Sequence, residues 1–375
     1  MDEQLMKNCR ICPRECGVDR TAGNRGRCGA PAQVILARAA LHFWEEPCIS
    51  GSAGSGAVFF SGCSLGCIYC QNVEISGLTI PKGATKQELT ESLEPVKEQT
   101  ATGLEAATEQ HPVGTEAATE QKCADSPEAV KKQMSILPGI SARKLPGIEV
   151  SIEELAQIFL RLQNEEGANN INLVTAAHYL PQTAKALAIA KSKGLSIPVI
   201  YNSGGYEKVS SLRMLDGLVD VYLPDFKYMS SRTAGDYSNA QDYPEIAKAA
   251  IAEMVRQAGS VSIDPVTALI RKGVIVRHLL LPGHVQEAKE IIFYLHDKYG
   301  DSIGLSIMNQ YTPMQQMKSH PLLNRRTTRR EYERLIDYAI GIGVTYGYIQ
   351  EGGTAKESFI PSWNGEGVRQ AIHNS

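Results

Sequence analysis

No stretch of this chain is long, apolar and uncharged enough to span a bilayer, and the opening Met-Asp-Glu-Gln-Leu-Met-Lys has no hydrophobic leader region. Neither membrane insertion nor secretion is expected, so the chain reads as cytoplasmic. Neither charge sign dominates: 38 Lys and Arg stand against 41 Asp and Glu, a net charge of −3. That balance gives no reason to expect a nucleic-acid or anionic-membrane partner. Triphosphate hydrolysis also lacks a motif, because Gly51-Ser-Ala-Gly-Ser-Gly56 precedes a strand and has no Gly-Lys-Ser/Thr ending. Aromatic residues vanish between about 82 and 148. There Glu105-Ala-Ala-Thr-Glu-Gln110 recurs at 116–121, and Leu-Pro-Gly-Ile occurs twice. Such low-complexity sequence reads as a solvated insertion.

Cysteine, by contrast, is plentiful: nine residues without a secretory leader read as ligands or reduced thiols rather than as a disulfide framework. Three of them, Cys63, Cys67 and Cys70, form a C-x3-C-x2-C run with Tyr69 before the last. Three thiolates on one loop can hold three irons of a [4Fe–4S] cluster and leave the fourth iron open. A zinc half-site is the plainer alternative. Two details favour iron: Ala57-Val-Phe-Phe-Ser61 reads as a buried strand leading into the loop, and the nearest later Cys or His is His111.

The triplet resembles that of the radical S-adenosylmethionine (SAM) enzymes. Trp44-Glu-Glu-Pro-Cys-Ile-Ser-Gly51, Ile171-Asn-Leu-Val-Thr175 and Tyr222-Leu-Pro-Asp-Phe-Lys-Tyr228 resemble an uncharacterised branch related to pyruvate formate-lyase activating enzymes. The resemblance implies SAM on the open iron and reductive cleavage to a 5′-deoxyadenosyl radical, which takes hydrogen from a substrate. That substrate could be a glycyl-radical enzyme, another protein or a small molecule. A reductant such as flavodoxin or ferredoxin is then expected. The opposing reading is a non-catalytic iron–sulfur or zinc protein serving electron transfer or scaffolding.

A second set, Cys9, Cys12, Cys16 and Cys28, puts four thiols within twenty residues among Pro, Gly and Arg. Too little apolar sequence surrounds them for a core, so a metal is expected to organise the segment, either zinc or an auxiliary iron–sulfur cluster. Arg10, Arg14, Arg20, Arg25 and Arg27 read as solvated or as balancing thiolate charge. Cys48 reads as a small buried thiol and Cys123 as irrelevant to function.

From residue 150 onward helix and strand signals alternate. Ser151-Ile-Glu-Glu154 is a capping box, and apolar runs at 170–174, 197–201, 219–223, 274–281 and 305–308 are separated by amphipathic stretches. With 57–61 they make six strand–helix units. These suit either a doubly wound sheet or, as the resemblance implies, a partial (β/α)6 TIM-like barrel behind a small N-terminal Cys-rich segment. The expected division is 1–50 for that segment, 51–350 for the core with its 82–148 insertion, and 351–375 for a C-terminal extension.

Loops at the C-terminal ends of parallel strands build α/β sites, so residues there become candidates. The second strand ends at Thr175 and His178 without the Gly-Gly-Glu that receives SAM's amino group in many relatives. Thr175 is the substitute, and His178 is either a ligand or a packed histidine. Asn202 and Ser203 are assigned to the ribose, or to an ordinary turn. Asp225 and Lys227 form either a cofactor contact or a rim salt bridge. Arg277 is assigned by family position to SAM's carboxylate, against an ion pair with Asp225; alternation turns His278 to the other face. Met308 and Gln310 are placed beside the adenine, with core filling the competing role for Met308.

Overall fold

The computed structural model describes residues 2–77, 144–350 and 361–373. The chain is a mixed α/β fold around a central sheet. Strands β1 (Val34–His42), β2 (Ser55–Phe60), β3 (Ile148–Val150), β4 (Ile171–Val174), β5 (Val199–Ser203) and β6 (Val221–Pro224) are followed by β7 (Ser262–Ile263), β8 (Ile270–Leu279), β9 (Gly304–Met308) and β10 (Gly347–Ile349). The spatial order is β10-β9-β8-β6-β5-β4-β2-β1-β3, with β7 beside β8. Along β2-β4-β5-β6-β8-β9-β10 the neighbours are parallel and each new strand joins the same edge, while β3 pairs antiparallel with β1 at the other edge and β7 antiparallel with β8. A doubly wound sheet reverses direction at a switch point; this order does not.

Helices connect the parallel strands. The Ser151 hydroxyl accepts the Glu154 N–H while the Glu154 carboxylate accepts that of Ser151, opening α3 (Ile152–Asn164). Thr328 and Glu331 repeat the box before α9 (Arg329–Gly341), and α7 (Tyr243–Ala258) and α8 (Val285–Tyr299) intervene. Strand residues alternate between two destinations. Leu173, Tyr201, Tyr222, Val276 and Ile307 join the helices in the main core. On the opposite face, Ile200, Val221, Leu223 and Ile275 pack against Cys48 and Ile49 of α2 (Pro47–Ser50). That short helix closes one end of the inner face and leaves the C-terminal ends of the strands around a cleft.

Three expected boundaries move. The limit at residue 50 falls within the sheet, because β1 pairs antiparallel with β2 and its Val34, Leu36 and Ala39 are buried. The end of the 82–148 segment also belongs to the core: Leu145 is 2% exposed and Ile148 begins β3, which pairs with β1. The rest of that segment, with Cys123, lies outside the described residues. In the 351–375 extension, 351–360 likewise lie outside, but 361–373 lie against β1. Ala39 N–H donates to Glu366, Gly365 N–H donates to Ala37, and Val368 is fully buried. Apolar residues in each of these pieces complete the sheet edge, which is why the pieces do not separate from it. Among the described residues no helix is long and apolar enough to cross a membrane.

Candidate active site

The cysteine triplet occupies the loop directly after β2, and its shape is imposed by backbone contacts. Gly62 has φ +101°, and a Cβ there would lie 2.8 Å from the Cys28 carbonyl and 3.0 Å from His178 Nε2. Only glycine fits this crossing. Ile68 N–H donates to Tyr237 at 2.9 Å and Cys70 N–H to Cys67 at 3.1 Å. Tyr69 is buried edge-on to Tyr228, Tyr237 and Tyr311, with ring centroids 6.1–6.4 Å away. This aromatic wall backs the loop.

Backbone N–H groups of Leu65 and Gly66 point at the Cys63 sulfur, and that of Asn72 points at Cys70. Such donors suit thiolates rather than thiols. Burial pushes the Cys63 thiol up and that of Cys70 to about 12, with neighbouring sulfurs adding to both. Without a metal these groups stay protonated; a metal supplies the positive charge that favours the thiolate. Among the described residues no three His, Cys, Asp or Glu side chains gather tightly enough to hold a single metal ion. A cubane, whose irons each take their own thiolate, does not require that convergence, and the donor set fits it.

Cys63, Cys67 and Cys70 line a cleft of about 260 Å³ with the predicted strand-end residues Thr175, Asn202, Ser203, Asp225, Lys227, Arg277 and Met308. Its floor is a charged network. Arg277 Nε donates to Asp225 at 2.9 Å, Nη1 to Glu45 at 3.1 Å and Nη2 to Asn202 at 2.7 Å. Glu45 also accepts from Asn172 and Asn202. Every nitrogen of the Arg277 fork therefore has a protein partner, so in this geometry the ion-pair alternative describes it. Burial alone would raise the Asp225 carboxyl, but Lys227 and Arg277 outweigh it and hold it below the ordinary range. Burial would lower the Lys227 ammonium, yet Asp225 and then the Cys67 sulfur carry it to about 12. Lys227 is thus a charged donor beside the cysteine loop.

Thr175 has φ +62°, a left-handed conformation strained for a β-branched residue, and its N–H donates to Asn202 at 2.9 Å. Ser203 Oγ accepts from Gly205 N–H at 3.3 Å. Met308 faces the cleft, and Gln310 holds Gln71 of the cysteine loop through its carbonyl. His178 does not line the cleft. It is buried against the Ser61 carbonyl at 2.8 Å, and burial with Arg20 nearby lowers its pKa to about 3. His278 is buried on the outer face, against the Phe226 carbonyl.

Sequence reasoning missed several cleft residues. Glu45 enters from the turn before α2, and His42 and Trp44 come from the end of β1. The Trp44–Gly51 wording was a signal, although of kinship rather than position. Glu46 lies beside Glu45 and Ser306, its carboxyl raised by burial.

Cys9, Cys12, Cys16 and Cys28 stay out of the cleft and cluster against the cysteine loop. Cys12 is pushed up to about 12 by burial and by the Cys28, Cys16 and Cys9 sulfurs. A Cβ on Gly26 would lie 2.8 Å from Cys16 Sγ, and Arg27 N–H donates to that sulfur at 3.4 Å. These four thiols neighbour one another, with one sulfur cradled and hydrogen-bonded, but they do not converge tightly enough for a single ion, so the arrangement suits a cluster better than zinc. Arg10 is exposed, as the solvated reading expects, whereas Arg20 is not. Arg20 is 2% exposed and donates to Pro31 and His178 carbonyls while lying 5.2 Å from the Tyr179 ring. Its partners are buried carbonyls and, at 3.8 Å, the Cys9 sulfur, in keeping with the charge-balancing alternative.

No family model matches the chain. It is 25% identical over 339 residues to an uncharacterised protein, MJ0674, of Methanocaldococcus jannaschii, covering 90% of this chain and 75% of that one. Two crystal structures of SuiB from Streptococcus suis, one bound to S-adenosylmethionine, share 11% identity with TM-scores of 0.37 and 0.38. They match 55% and 60% of this chain, which spans 44% and 49% of theirs. Shape similarity at that level carries no functional weight.

Proposed function

We propose that this chain is a radical SAM enzyme with a partial (β/α)6 barrel. One observation supports it above the rest: three thiols of one post-strand loop share a cleft with polar residues from the ends of β4, β5, β6, β8 and β9. A protein that only carried electrons would need no such second wall.

Cys63, Cys67 and Cys70 would hold the [4Fe–4S] cluster, which when bound with SAM supplies the electron that splits its C–S bond to methionine and 5′-deoxyadenosyl radical. Lys227 keeps ammonium protons beyond the one shared with Asp225, so it rather than Arg277 is the donor for SAM's carboxylate. Arg277 holds Glu45 and Asn202 in place around the amino-acid end. Thr175, with no Gly-Gly-Glu beside it, presents its backbone and hydroxyl to the amino group. Asn202 and Ser203 serve the ribose, and Met308 lies toward the adenine. Phe59, Trp44 and His42 form the wall left for substrate.

The activase-like branch rests on the resemblance of Trp44–Gly51, Ile171–Thr175 and Tyr222–Tyr228, and a protein substrate is proposed on that basis. A flavodoxin or ferredoxin is the proposed reductant. Iron and sulfide analysis with EPR spectroscopy tests the site. Reconstituted protein should show a reduced-cluster signal that changes when SAM is added, and a Cys63→Ala/Cys67→Ala/Cys70→Ala variant should lose it. A signal indifferent to SAM would favour a non-catalytic iron–sulfur protein.

A further inference from the structure

Between Cys12 and Cys16 sits Arg14, whose side chain reaches out of the N-terminal unit. Its Nε donates to the Ser64 carbonyl at 3.0 Å and its Nη2 to the Leu65 carbonyl at 3.0 Å. Nη2 also donates to Ser238 at 2.8 Å, and Nη1 donates to Asn239 at the end of α6 (Ser231–Ser238). The guanidinium lies 5.1 Å from the Tyr206 ring centroid. Ser64 and Leu65 stand between the first two cysteines of the triplet.

In a trans peptide the C=O and the following N–H point in opposite directions. Turning the Ser64 and Leu65 carbonyls toward Arg14 therefore aims the Leu65 and Gly66 N–H groups away from it. Those are the two N–H groups directed at the Cys63 sulfur. One guanidinium thus orients, and by its charge polarises, both peptide units that hydrogen-bond this thiolate.

We propose that Arg14 is a positioning residue that couples the N-terminal cysteine unit to the cluster loop, setting the N–H···S bonds to Cys63 and through them the reduction potential of the cluster. Hydrogen bonds to sulfur stabilise the more negative, reduced state, so their loss makes reduction harder. The part concerning potential rests on the proposed function; the geometric coupling stands without it.

The test uses the full chain with Arg14→Met, and with Tyr206→Leu as a second variant that removes the platform under the guanidinium while leaving both cysteine loops intact. In iron-free protein, where access to the enclosed thiol rather than its ionisation limits the reaction, alkylation of Cys63 relative to Cys48 should rise at least about tenfold in Arg14→Met as the released loop opens, because Cys48 lies in the separate inner core. In reconstituted protein the EPR-monitored potential should fall by about 60 mV, a tenfold shift for a one-electron couple. Tyr206→Leu should move both in the same direction by less. Parallel acceleration of Cys63 and Cys48 would mean general loosening and overturn the coupling, as would an unchanged ratio in either folded variant. An unchanged potential alongside a raised alkylation ratio would overturn the redox role alone. A wild type that takes up no cluster would sink the functional reading while the alkylation ratio still decides the coupling.

Discussion

Glu45 and Arg277, 232 positions apart in the chain, meet at 3.1 Å on the cleft floor, with side chains 11% and 15% exposed. The pair joins the turn before α2 to β8 and so ties the inner plug to the strand that carries the guanidinium. Removing Glu45 leaves the mostly buried Arg277 with Asp225 as its remaining carboxylate partner.

Glu45→Ala should therefore cost about 3 kcal/mol in denaturant unfolding, while Glu45→Gln, which keeps the contacts to Asn172 and Asn202, should cost about half as much. SAM affinity should fall in both, read by anaerobic equilibrium dialysis. An Ala variant as stable as the wild type would show that Asp225 alone satisfies Arg277.

Thr175→Gly should raise unfolding stability by about 1 kcal/mol, because glycine adopts φ +62° without the cost a β-branched residue bears there. The same change should weaken SAM binding several-fold if the hydroxyl or the fixed backbone contacts the cofactor. Stabilisation with unchanged affinity would remove Thr175 from the site.

Glu207 is fully enclosed, and burial raises its carboxyl from 4.5 to about 8 against hydrogen bonds from Tyr201 and Ser203. The folded state binds a proton that the unfolded state releases between these values. The stability contributed by the protonated group is complete below pH 4.5 and disappears as pH rises through 8. Glu207→Gln mimics the protonated form, so its advantage in unfolding free energy over wild type should grow from pH 5 to pH 8, at about 1.4 kcal/mol per pH unit. A constant difference across that window would place the titration elsewhere.

Metal analysis of the full chain should find iron that persists when Cys9, Cys12, Cys16 and Cys28 are changed to Ser, together with a second metal that does not. Zinc or extra iron in that second fraction decides the nature of the N-terminal site. Loss of no metal in the variant would leave those thiols without the assigned role.

Much of the fold could be read locally. The capping box at Ser151 announces its helix, because that signal involves residues three apart, and α7 falls in the amphipathic stretch between the runs at 219–223 and 274–281. Strand-end candidates such as Asn202, Asp225 and Arg277 converge because parallel topology brings like ends together. Glu45 and Arg14 were not legible, since their partners come from chain segments fixed only by the assembled sheet. Strand β1 and the edge strand β3 were hidden for a related reason. Their antiparallel pairing spans the low-complexity segment, and no turn signature links them.

The most direct measurement is product formation under strictly anaerobic conditions with SAM and dithionite. Reconstituted wild type should release methionine and 5′-deoxyadenosine in equal amounts, and the variant lacking Cys63, Cys67 and Cys70 should release neither. A wild type carrying a full cluster that leaves SAM intact with every reductant tried would contradict radical SAM chemistry in this chain.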